Sequence, residues 1–465
     1  MRKNIKAKIA RLFTHEGAPA ALHLSVEQQL RRSVMSCLLW EKEFYESGEE
    51  IAARISSLAS KLPAEKVAAM AIEAREVHHL RHVPLLLLEA LSWHQGKPLV
   101  RDTVARVVQR ADEIPELLAV IWKDKANANK SKTIPNMVRQ GLQLAFGKFD
   151  EYRLAKYDRD NVIKLSDAIR MVRPKPADEA RAALYKRVRE RTLVVPDTWE
   201  VALSGGADKK ETFERLLREG NLGYLALLRN LRNMAQAGVD EALVRDAIVA
   251  RKGARRVFPF RYVAAAKAAP QFEPALDQAF AAALADMPKL SGKTIIVVDV
   301  SGSMYHALVS ARSDMTRAVA GCALAAVARG SFDDVRVYAT AGSDAKRKHE
   351  TQEVPARNGM ALIDAIHGLC HPLGGGGIFL KQVMDFLEKR EKVAERIIVI
   401  TDEQDCGIGL GDSPLSVVPF GKSNYLINVA SNKNGIGYGK WTHIDGFSEG
   451  VVRYIYETEK AMQQQ

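Results

Sequence analysis

Residues 294–304 read TIIVVDVSGSM. An unbroken β-branched and aliphatic run from Thr294 to Val298 predicts a strand buried on both faces, as parallel sheets require. The strand delivers Asp299, Ser301 and Ser303 onto the loop that follows. Hard oxygen donors at i, i+2 and i+4 can face one point, and Gly302 permits the tight turn between them, an arrangement that suits Mg²⁺ with water completing its shell. The plainer reading is a strand end followed by an ordinary polar loop. A second buried run, Arg396 to Thr401 (RIIVIT), ends in Asp402 in the same manner.

This pattern resembles the von Willebrand factor A domain and its metal-ion-dependent adhesion site. The resemblance implies a metal set of Asp299, Ser301, Ser303 and Asp402, with a threonine from an intervening loop. Here that threonine's position, in HPLGGGGIFL, falls on Gly376 or Gly377, neither of which has a side-chain oxygen. The expectation is a site present in outline that takes a divalent cation such as Mg²⁺ weakly, through an extra water, or not at all. Gly374–Gly377 lack the Lys-Ser/Thr of a phosphate loop, so they read as a turn entering a helix. The hydroxyl-rich first loop suits capture of a partner's carboxylate better than the activation of water by a nuclease.

Around these strands the pattern alternates: helical spacing over Leu308–Arg329, a strand Val335–Thr340, helices Met360–Leu369 and Phe379–Lys392, a strand Tyr425–Val429, and a closing helix near Glu449–Met462. Such alternation predicts an α/β doubly wound sheet over residues 288–465. From Ser25 to Met287 there is no convincing alternating strand, while i, i+3, i+4, i+7 spacing recurs, for example at Leu30, Val34, Cys37, Leu38 and Phe44. The turn signals at Pro115, Pro135, Pro174, Pro176 and Pro196 divide it into short helices, which suits stacked helical hairpins over residues 25–287. Residues 1–24 form a basic extension.

The 465 residues carry a net charge of +12, unevenly distributed. Residues 291–465 hold 19 Lys and Arg against 20 Asp and Glu, leaving 49 against 36 in residues 1–290. A polyanion is the natural partner of the N-terminal part. No apolar run approaches the length of a membrane span and the N-terminus lacks a signal-peptide core, so a cytoplasmic protein with no membrane partner is expected. Four scattered cysteines indicate neither a disulfide framework nor a zinc knuckle.

Basic residues concentrate between Trp122 and Pro176: Lys123, Lys125, Lys130, Lys132, Arg139, Lys148, Arg153, Lys156, Arg159, Lys164 and Arg173, with Phe149, Tyr152 and Tyr157 interleaved. Cations for phosphates and aromatic planes for bases are what sequence-tolerant binding of single-stranded nucleic acid requires. A solvated helix face with its aromatics in the core is the competing reading.

The same segment, with its W-K-D-K, A-F-x-K-F-D-x-Y-x-L-A-K-Y and R-M-V-R-P-K-P blocks, resembles the TROVE module of the Ro autoantigen family. Pro196, Thr198, Trp199, Glu200 and the block LLRNLRNM (227–234) extend the resemblance. It implies an all-α ring of HEAT-like hairpins closed by the A domain. It also implies non-catalytic binding of structured or misfolded non-coding RNA, with a single-stranded 3′ end in a basic hole and Y-type RNA outside. An exoribonuclease or another protein at the A domain would be the protein partner, and the chain would be a monomer. Where the family carries W-S-H-K-D, this chain has Ile163 to Asp167, which removes that His and Lys and leaves Lys164 as a substitute. In LLRNLRNM the leucines and Met234 make a packed face, and Arg229, Asn230, Arg232 and Asn233 are expected on another side, as caps or phosphate ligands.

Overall fold

The structure is a computed structural model. It describes residues 25–35, 48–92, 98–122, 133–158, 160–204, 206–254, 257, 260–285, 289–309, 315–407, 417–430, 440–445, 451–452, 455–456 and 459. The described chain is helical up to residue 285 and mixed α/β from Leu290 onward, as the periodicities require. It divides into two compact units. One comprises residues 29–34 and 52–208; the other holds 209–465 together with 1–28 and 35–51.

In the first unit, α3 (Ala64–Glu76) packs on α4 (Val83–Ser92) and α5 (Pro98–Val107), and α4 packs on α6 (Glu113–Trp122). They follow α1 (Val26–Met35) and α2 (Gly48–Ala59) in the chain. Leu85, Leu87, Leu88 and Leu91 of α4 are all buried, which explains a helix apolar on nearly every side. A close crossing joins α5 to α7 (Asn136–Gly147). A Cβ on Gly141 would lie 2.6 Å from both Arg101 O and Val104 Cβ, so only glycine lets the backbones approach. Two short helices follow, α8 (Glu151–Lys156) and α9 (Leu165–Val172), then the longer α10 (Glu179–Glu190), with α11 (Trp199–Ser204) closing the series.

The second unit contains α12 (Lys209–Arg218), α13 (Tyr224–Gln236), α14 (Glu241–Ala250), α15 (Phe260–Ala268) and α16 (Glu273–Ala285), together with a sheet. The sheet has the order β3-β2-β1-β4-β5-β6. Its strands are β1 (Leu290–Asp299), β2 (Phe332–Ser343), β3 (Lys348–Glu353), β4 (Arg396–Thr401), β5 (Ser423–Asn428) and β6 (Thr442–Asp445). All pairings are parallel except the β2–β3 hairpin. The intervening helices are α17 (Gly302–His306), α18 (Arg317–Gly330), α19 (Gly359–His367) and α20 (Leu380–Glu391). Helices α15 and α16 pack on α18, and α16 also packs on α19. At that last contact Asp277 Oδ1 accepts the Met360 backbone N–H at 3.0 Å.

The helix expected over 308–329 begins only at Arg317, as α18, and Leu308 pairs with Thr316 in an isolated antiparallel bridge instead. Strands β3 and β6 had no counterpart in the sequence reading. The first is an exposed edge strand, KHETQE, and the second has only four residues. Cys37, Leu38, Phe44 and most of the closing helix lie outside the described residues. No helix among the described residues is long and apolar enough to cross a membrane.

Candidate nucleic-acid interface and the loop cluster of the sheet

Helix α8 begins at Asp150, whose carboxylate accepts the Arg153 N–H at 2.8 Å as an N-cap. One turn of helix then exposes Tyr152 and Arg153, and Lys156 lies half-buried. The Lys156 ammonium lies 5.7 Å from the Tyr152 ring centre and 6.0 Å from that of Tyr157, and the Arg110 guanidinium covers Tyr157 at 4.3 Å. Cations and aromatic planes therefore alternate along one surface, with Tyr152 51% exposed. Such a row offers ring faces for bases and charges for phosphates.

Helix α10 flanks α8. Arg187 holds Glu151 through two hydrogen bonds of 2.9 and 2.8 Å, and Arg181 donates to Phe149 O at 2.6 Å. Arg191 and Lys164 both reach Asp160, at 2.8 and 3.1 Å. Arg139 donates to Asn136 Oδ1, and Arg173, in a left-handed conformation at the end of α9, donates to Arg170 O at 3.3 Å. These contacts leave their cations at the surface.

Two members of the segment have other roles. Phe149 is 2% exposed and belongs to the core, so it is no platform for a base. The Lys148 ammonium hydrogen-bonds Ala105 O and Val108 O at the end of α5, where a cation satisfies terminal carbonyls, and burial there lowers its pKa. Lys123, Lys125, Lys130, Lys132 and Arg159 lie outside the described residues. Arg110, Arg181 and Arg187 were not singled out by sequence reasoning; Arg110 is more than forty positions from the tyrosine it covers, and no local pattern signals that pairing.

In the second unit, Leu227, Leu228, Leu231 and Met234 are buried on α13 as expected, but Asn230 is buried with them at 2% exposure. Its amide donates to Ala226 O at 2.9 Å and accepts from Asn233 Nδ2 at 2.9 Å. Asn230 is thus a satisfied core amide, and a phosphate cannot reach it.

The loop cluster forms where β1 and β4 end side by side. Asp299 is fully buried. Its Oδ1 accepts the Ser301 N–H at 2.9 Å and its Oδ2 accepts the Thr401 hydroxyl at 2.6 Å. Burial, reinforced by the charge of Asp402, raises the Asp299 pKa. The hydroxyls of Ser301 and Ser303 lie 3.3 Å apart. Asp402, also fully buried, accepts the Gln404 N–H at 3.3 Å, and its Oδ2 lies 3.6 Å from Arg317 Nη1. Arg317 opens α18 and is 1% exposed.

The glycine turn closes against the β2–β3 hairpin. Gly376 N donates to Gly342 O at 3.0 Å and Gly377 N to Asp344 Oδ1 at 2.8 Å. A Cβ on Gly376 would meet Gly342 O at 2.5 Å, and one on Gly377 would overlap Cys406 Sγ. The sequence-predicted residues Asp299, Ser301, Ser303 and Asp402 do come together, but the loop that should add a threonine has neither the oxygen nor the room for one. Among the described residues, no group of three or more His, Cys, Asp or Glu is arranged to hold a metal ion.

A helical series that precedes a parallel sheet with polar loops at its strand ends defines a two-part protein of the kind anticipated from the motifs. Residues 186–320 match the family model described as the TROVE domain. The match runs from α10 into the start of α18. The matched residues include Trp199, the LLRNLRNM block and the first loop of the cluster, and they begin after the α8–α9 surface. The crystal structure of the Deinococcus radiodurans RO (RSR) protein superposes with a TM-score of 0.60 over 92% of this chain and 97% of that one, at 16% identity. The likeness is one of fold. Telomerase protein component 1 of Mus musculus is 33% identical over 95 residues, 19% of this chain, and that of Rattus norvegicus 32% over the same length. The chain spans 3% of the length of these curated relatives.

Proposed function

We propose that this protein binds RNA without catalysing a reaction, and that the α8–α10 surface is one place where the strand lies. The carrying observation is the alternation of Tyr152, Lys156, Tyr157 and Arg110, beside the exposed Arg153. The TROVE-domain match over residues 186–320 and the Ro-like fold support RNA over other polyanions. On this reading the ligand is a structured or misfolded non-coding RNA with a single-stranded 3′ end, held in a cytoplasmic particle to which an exoribonuclease is recruited. The departure at Ile163–Asp167 speaks for a 3′-tailed RNA rather than a Y-type RNA as the ligand.

The test is binding of a labelled duplex with a 3′ tail at two salt concentrations, by wild type and by an Arg153→Glu, Lys156→Glu variant. We expect tail-dependent binding that weakens with salt, and a loss of about tenfold or more in the variant, with a shallower salt slope. Equal affinity for RNA and for a matched acidic polypeptide would sink the reading.

A further inference from the structure

In the loop cluster the carboxylates of Asp299 and Asp402 are fully buried, as is that of Glu403, which His443 Nδ1 approaches at 2.9 Å; Asp405, 4% exposed, accepts the Leu380 N–H at 2.8 Å. Resemblance to the A domain would have a divalent cation reconcile Asp299 with Asp402. The residues present argue for a different solution. Both oxygens of Asp299 already accept hydrogen bonds from the protein, from Ser301 N and Thr401 Oγ1. Asp402 faces a cation that belongs to the chain itself, since Arg317 Nη1 lies 3.6 Å from its Oδ2 with both side chains at or below 1% exposure. A buried carboxylate and a buried guanidinium favour each other, because each lowers the cost of holding the other in a medium of low dielectric. A dication entering beside that guanidinium would meet like-charge repulsion at short range. Steric closure removes the remaining ligand. The threonine of the adhesion site would have to stand at Gly376 or Gly377, where a side chain collides with Gly342 O or Cys406 Sγ.

We propose that Arg317 is the resident cation of this loop cluster, replacing the divalent ion of a metal-dependent adhesion site by neutralising Asp402 from within. The cluster is then a closed electrostatic clasp between the first turn of α18 and the end of β4. A partner's carboxylate cannot be captured here through a bridging metal, and Arg317 is too deeply buried to receive one directly. The inference stands apart from the RNA-binding reading and survives its failure.

The experiment uses the full chain and Mn²⁺ as the probe. Titration followed by electron paramagnetic resonance should show no saturable one-per-chain binding to wild type, and the Tm should be the same in Mg²⁺ and in EDTA. One Mn²⁺ per chain that is lost in Asp402→Asn overturns the proposal. A double-mutant cycle gives a second readout. Arg317→Gln and Asp402→Asn should each lower Tm in EDTA, and the double variant should be more stable than the sum of the single losses predicts. Additive losses overturn the pairing. Should Arg317→Gln fail to fold, the Mn²⁺ titration of wild type still decides the matter.

Discussion

The α8–α10 surface and the β1/β4 loop cluster are both dense in charge, yet they use it in opposite ways. On α8–α10 the cations outnumber their acidic partners and stay in contact with water, where an ion pair such as Arg187–Glu151 contributes little to stability. In the loop cluster the charges are buried, and Asp402 has Arg317 beside it. A charge meant for a partner must remain cheap to expose; a charge meant for the fold must never be left alone. Burial, more than residue type, separates the two.

Substitutions that remove one buried charge of the sheet and one surface charge should break or sharpen this contrast. The largest effect is expected at Arg396, whose Nε donates to Glu459 at 2.6 Å and whose Nη1 donates to Thr294 at 2.7 Å, with Arg396 1% exposed. Arg396→Met strands Glu459 and should cost about 3–5 kcal/mol in denaturant unfolding. Arg187→Met, made on the surface, should leave the unfolding midpoint near wild type. Similar midpoints for the two variants would dissolve the distinction.

A smaller effect separates neighbours within the basic segment. Lys148→Ala removes the cation from the α5 carbonyls and should lower stability by about 1 kcal/mol or less while leaving RNA affinity unchanged. Lys156→Ala should do the reverse. A Lys148→Ala variant that loses RNA affinity at unchanged stability would return Lys148 to the interface.

A further effect is one of pH. Burial pushes the Glu116 carboxyl up to about 7 despite the attraction of Arg81, and Asp112 and Glu113 add to the shift. Because the folded pKa lies above the unfolded value, this group's contribution is present below about pH 4.5 and is lost as pH rises through 7. Glu73 acts with the opposite sign. Burial alone would raise it, but His78 and Arg31 bring it to about 2, so its contribution is present above about pH 4.5 and is lost in acid. Glu116→Gln should flatten the decline in stability between pH 5 and 7 and leave the acid limb intact. An unchanged profile over that window would mean that Glu116 titrates normally.

The core strands were legible because IIVV (295–298) and IIVI (397–400) contain nothing that could face water, and such runs fit only the middle of a parallel sheet. β3 was invisible for the converse reason: KHETQE is polar on both faces and is placed by its pairing with β2, not by its own pattern. The site divides along the same line. Asp299, Ser301, Ser303 and Asp402 could be read from their positions at strand ends, whereas Arg317 could not. It opens a helix that is otherwise almost entirely apolar, RAVAGCALAAVARG, and a lone arginine there looks like an exposed first-turn residue until the fold sets it against Asp402. Phe149 and Asn230 were misread because the side of a short helix that faces the core is fixed by its neighbours.

The hydrogen bond from Met360 N to Asp277 bears on how the molecule comes apart. A fragment starting at residue 288 keeps every strand of the sheet but loses α15 and α16, uncovering the apolar sides of α18 and α19 on which they pack. Secondary structure changes type at that point, but cooperative unfolding has no reason to respect it. Proteolysis of the native chain should favour segments near residues 205–208, and the last five helices before the sheet should exchange their amide hydrogens together with it.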